Sequence, residues 1–257
     1  MKRLLAALLL PLFPLHAQDE PETPAPAEEK KEALQYQIDL DNLSDDKKKV
    51  YWTALVRAEQ VFQQKRIFEC LESINEAHQI YAKNPSSLNL QGACYVEFRN
   101  FEKARIAFNK AKKQDPENPN VLFNQAEIEF VTQNWQTSHD QFSVILPVYE
   151  KKAEQDKRNE SMRDLIRFKV LLCKLKLGDK EEAVAIIKDS TFLDDTPLFY
   201  YGKAAIAYSE ERTVDAEVWL ARAGRIFTQA ASIAPWQDTL IEFGYIKSFY
   251  GGDLEVE

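Results

Sequence analysis

Two asparagine–proline pairs, Asn84-Pro85 and Asn118-Pro119, stand 34 residues apart, and the apolar residues between them fall into two stripes. Leu88, Gly92 and Tyr95 recur at spacings of three and four, and so do Ala104, Phe108 and Ala111. That spacing lines one face of a helix. Asn100 and Phe101 mark the break between the stripes, and Pro116 closes the second. Proline suits the first helical position because its missing N–H is not needed there, and the asparagine before it can cap the helix. The stretch therefore predicts a helix–turn–helix unit of fixed length. The same period reaches back to Tyr51 and forward to Pro119.

Gly92 and Ala104 lack bulk where two antiparallel helices would cross, so their backbones can approach, and Tyr95 and Phe108 fill the space beside the crossing. This pattern resembles the tetratricopeptide repeat, which pairs small residues with a Tyr, an Ala, a Phe and a closing Pro in a 34-residue period. Gln91 and Gln125 stand where that family has Leu. The resemblance implies an all-α, right-handed superhelical solenoid of antiparallel helix hairpins. It extends over roughly residues 50–249. The first copy carries Ala54, Ala58 and Val61, a break at Gln63–Arg66, then Ile67, Cys70, Ile74 and Ala77. The third has Leu122, Ala126 and Phe130 before a Gln133-Asn134 turn, then Trp135, Ser138 and Phe142.

Beyond it the register changes. Val148–Glu160 is polar without a turn signal until Asn159 and predicts an over-long second helix that projects from the stack, with Pro147 kinking it or beginning it anew. A fourth hairpin turns at Gly178-Asp179, and a fifth starts at Thr196-Pro197, a third junction that puts a capping side chain before a proline, and turns over Ser209–Thr213. Trp236–Phe249 predicts a last, unpaired helix that caps the open end.

At the other end, Lys2, Arg3, the apolar run Leu4–Leu15 and Ala17 have the pattern of a signal peptide over residues 1–17. The run is shorter than the roughly 20 residues a membrane-spanning helix needs, so no transmembrane segment is expected in the mature chain. Residues 18–43 read as a disordered, acidic, proline-rich linker with weak alternation from Leu34, and residues 44–257 as the repeat domain, opening with Ser44 as cap and Asp45 and Asp46 in the first turn. The expected location is periplasmic or secreted. Loss of Lys2 and Arg3 takes the net charge from -8 to -10, which argues against nucleic acid as partner. Seven glycines suggest few positions of positive φ and favour helix over sheet or loop. Cys70, Cys94 and Cys173 all fall in helical stripes; as core thiols or as a Cys70–Cys94 pair, both readings are open.

No catalytic constellation is legible. His78 and His139 lack metal-ligand spacing, adjacent Ser138, His139 and Asp140 do not form a triad along one helix, and no glycine-rich loop suits a phosphate. No enzyme, cofactor or metal is expected. The resemblance instead implies a concave groove lined by first helices, here Trp52, Phe62, Asn89, Phe123, Glu127, Phe130 and Phe168, holding a protein or peptide partner. The same aromatic residues could equally be core, packed within the stack or under the chain's own termini. The implied function is a non-enzymatic interaction scaffold of the bacterial envelope; the alternative is a peptide- or carbohydrate-binding solute protein serving a transport system.

Overall fold

A computed structural model describes residues 33–247; the expected signal peptide and the expected linker as far as residue 32 lie outside these. The described residues are all-helical, without strands, and their helices pack neighbour to neighbour. They divide into two compact units, with the boundary at Leu122.

The N-terminal unit holds α1 (Gln35–Asp41), α2 (Asp45–Gln63), α3 (Ile67–Ile80), α4 (Pro85–Glu97), α5 (Phe101–Gln114) and the start of α6 (Pro119–Val131). α1 corrects the linker boundary: residues 35–41 are helical, and Leu40 is buried in the core with Tyr51, Ile74 and Cys94. Asn84 and Asn118 cap as the sequence suggests. The Asn84 side chain accepts from the Ser86 N–H at 2.8 Å, and Asn118 Oδ1 accepts from Asn120 and Val121 at 3.2 and 3.3 Å. At Gly92 an added Cβ would lie 2.3 Å from Phe108 Cε1. The glycine is thus required by the ring of α5, which is itself wholly buried. The Cys70 and Cys94 thiols are free, and their sulfurs lie 3.2 Å apart.

The C-terminal unit holds the rest of α6, α7 (Trp135–Gln155), α8 (Glu160–Leu177), α9 (Lys180–Ile186), α10 (Leu198–Ser209), α11 (Thr213–Ile226) and α12 (Ala230–Phe243). α7 continues through Pro147, which is exposed, so water can reach the carbonyl that the proline leaves without its N–H. The extension does not project. Tyr149 and Ala153 are buried, and α7 packs along α8. A 3-10 turn at Lys157–Asn159 then leads into α8.

First helices of the hairpins end alike. Lys65, Arg99 and Gln133 have φ of 60°, 54° and 64° and recur every 34 residues; Glu211 has 61°. At each turn the residue after the positive φ donates its N–H five residues back: Arg66 to Val61, Asn100 to Tyr95, Asn134 to Glu129 and Arg212 to Ala207. This is the Schellman closure, which requires one left-handed residue. Only the α8 turn uses glycine, Gly178 at φ 90°. Few glycines therefore did not mean few left-handed positions. The closing backbone hydrogen bonds hold ordinary side chains there.

The third proline junction is different. Thr196 does not cap α10. Its hydroxyl donates to Asp164 Oδ2 at 2.6 Å, a carboxylate also held by Arg163 and Arg167, and Pro197 occupies the cap position.

Candidate functional site: a helix-binding face

α6 places Phe123, Glu127 and Phe130 on one face, as spacings of four and three require. Phe123 and Phe130 meet Phe142 of α7 edge to face, with centroids 5.6 and 6.4 Å apart. α8 contributes Phe168 and Lys169, and α10 contributes Tyr201, 6.0 Å from Phe168. The Ser138 hydroxyl turns inward and donates to the Ala126 carbonyl at 3.1 Å. His139 Nδ1 nevertheless meets Asp140 Oδ1 at 3.0 Å. These neighbours do touch, on the outer side of α7, with Ser138 facing away from them.

The face is occupied by the chain itself. α12 does not cap the end of the stack. It lies against α8, with Trp236 5.3 Å from Phe168 and 5.7 Å from Tyr201. One helical span further, Phe243 stacks on Phe130 at 6.0 Å and meets Trp135 at 5.1 Å. Gly244 ends the helix at φ 89°.

A charged cluster lies between the two aromatic contacts. Lys169 is wholly buried, its ammonium 2.9 Å from Glu127 Oε1, 3.7 Å from Glu242 Oε2 and 4.3 Å from the centre of the Phe130 ring. Two carboxylates and one ammonium in a dry core would leave one net negative charge, which is costly. Burial above all, then the negative charge of Glu127, raises the Glu242 carboxyl well above its ordinary range. A carboxyl held as the acid there would leave one charge of each sign in the cluster, which lowers that cost.

The expected groove residues therefore fall into two groups. Phe123, Glu127, Phe130 and Phe168 are brought together in the C-terminal unit but are buried beneath or beside α12, not open to a partner. The period that puts them on one face does not say whether another helix covers it. In the N-terminal unit, Phe62 is core, Asn89 is buried and engaged, and Trp52 is 38% exposed with its ring edge-on to Tyr51. Lys169, Tyr201, Trp236, Glu242 and Phe243 were missed. A signal was available in Phe168–Leu172, where one lysine interrupts an apolar run; a lysine buried there needs an acid on a facing helix.

Together these features define, over the described residues, an all-helical arrangement of neighbour-packed hairpins with a face that holds one helix. No family model, curated protein or solved structure matches the chain. Among the described residues no group of three His, Cys, Asp or Glu is placed to hold a metal, and no helix is long and apolar enough to cross a membrane.

Proposed function

We propose that this chain is an exported, non-enzymatic scaffold of the tetratricopeptide type, which binds a partner protein through a helix or peptide. One observation carries the reading: the face of α6, α8 and α10 in the C-terminal unit already holds a helix. It grips α12 by two aromatic anchors, Trp236 and Phe243, and by a central acid, Glu242, set against Lys169. Aromatic anchors in pockets around a desolvated charge are the usual energetic core of a helix-in-groove interface. A partner helix with the same order of aromatic, acid and aromatic would use the same seat when α12 leaves it.

The test is affinity capture from envelope extract on the immobilised full chain, with a synthetic α12 peptide as competitor. The expected result is one or a few proteins retained in proportion to bait and released by the peptide but not by a peptide lacking both aromatic anchors. Retention of nothing above a control bead, together with a melting temperature raised by small peptides or sugars, would overturn the scaffold and favour a solute binder.

A further inference from the structure

A second site stands apart from the helix-binding face, and its argument does not depend on that reading. Phe199 and Tyr200 begin α10, and Trp219, Arg222 and Arg225 follow one another at spacings of three along α11. With Phe192 from the preceding connection they line a cleft of about 360 Å³. The rings form a connected wall: Phe199 and Trp219 meet edge to face at 5.7 Å, and Tyr200 lies 5.2 Å from Phe199. The Arg222 guanidinium lies 4.7 Å from the centre of the Trp219 ring.

Three features of this cleft go beyond ordinary packing. Its mouth is open: Phe192 is 66% exposed, and Phe199 and Trp219 are half-buried beside a buried Tyr200. α12, which by chain order could have covered α11, packs instead on α8. And the cations are unneutralised: in a chain of net charge -8, no carboxylate lines the cleft, and neither Arg222 nor Arg225 has an acidic partner among the described residues. Lys203, 5.8 Å from the Phe199 ring, lines a neighbouring cleft together with Glu181. A half-buried Trp beside exposed Arg side chains brings together residue types that dominate recognition energy.

We infer that this cleft binds an acidic peptide segment carrying an aromatic side chain. The aromatic ring packs on the open side of the wall made by Phe192, Phe199 and Trp219, where further edge-to-face contacts are available. Carboxylates on either side of it pair with Arg222 and Arg225, whose forked donors suit a carboxylate better than an ammonium would. The chain's own negative charge repels long polyanions, which favours a short acidic peptide over nucleic acid.

The experiment is selection of a phage-displayed random peptide library on the full chain, counter-selected on the Arg222→Ala/Arg225→Ala variant. Both side chains are exposed, so the variant should keep its fold, checked by an unchanged circular dichroism melt. Recovered peptides are expected to combine Asp or Glu with an aromatic residue. Their affinity should fall about tenfold or more in that variant and in Trp219→Ala, and should weaken as sodium chloride is raised. The Arg222→Lys/Arg225→Lys variant should recover only part of it. No enrichment over the variant, or enriched peptides without acids, overturns the inference. So does variant-sensitive binding of oligothymidylate or of phosphatidylglycerol vesicles in place of the peptides.

Discussion

Lys169 is the most informative single position in the C-terminal unit. Lys169→Met keeps the volume and removes the charge, leaving Glu127 and Glu242 facing each other in the core. Without the ammonium, carboxylate charge in the cluster is buried and unpaired, and breaking a buried pair on one side costs about 3–5 kcal/mol. Urea unfolding followed by tryptophan fluorescence is the assay, since Trp135, Trp219 and Trp236 all lie in this unit. The penalty should be about 3–5 kcal/mol at pH 7 and shrink on acidification, as protons neutralise the unpaired carboxylate charge. Removing all three charges, as Glu127→Gln/Lys169→Met/Glu242→Gln, should restore most of the loss. A penalty below about 1 kcal/mol, the scale of an exposed pair, or one that is the same at pH 5 and pH 7, would refute the buried-cluster account.

Three other outcomes follow from the structure. Glu242 has a raised carboxyl, so its contribution is complete below the ordinary carboxyl range and is lost as pH rises through the raised value; Glu242→Gln, which cannot ionise, should flatten the fall in melting temperature on the alkaline side, and equal slopes would count against it. Gly92→Ala gains helix propensity of about 1 kcal/mol but drives a Cβ into Phe108; with overpacking of about 1–3 kcal/mol the net change should be destabilising and relieved by Phe108→Leu, so a stabilised single variant contradicts it. Gln133→Gly removes a left-handed side chain from the turn after α6 and should stabilise by about 1 kcal/mol, read as a higher urea midpoint at unchanged slope; a loss of stability would mean that the closure is not strained.

What the sequence disclosed was whatever is local and periodic. The 34-residue spacing, the Asn84 and Asn118 caps and the small residue at Gly92 each depend on neighbours within one hairpin. Thr196 misled because its hydroxyl is claimed by Asp164, 32 residues earlier in the chain. Pro147 misled because an exposed helix edge tolerates a proline. The binding face was legible as a stripe and illegible as a surface: Phe130 looks the same in sequence whether a partner or Phe243 covers it. The left-handed turns were hidden because Lys65, Arg99, Gln133 and Glu211 carry no residue-type signal.

The thiol contact between α3 and α4 has a mechanical consequence. Cys70 and Cys94 are 24 positions apart in the chain and 3.2 Å apart at sulfur. If an oxidant takes two electrons and two protons from the pair, the bond formed diverts tension around everything between them. Pulled from its ends in an optical trap, the reduced chain should release those residues as about 80 Å of contour, at roughly 3.4 Å each. The oxidised chain should lack that increment and regain it when a reductant is added, so that redox state sets the length over which the N-terminal unit can yield under load. Equal contour lengths in both states would show that the two sulfurs do not join.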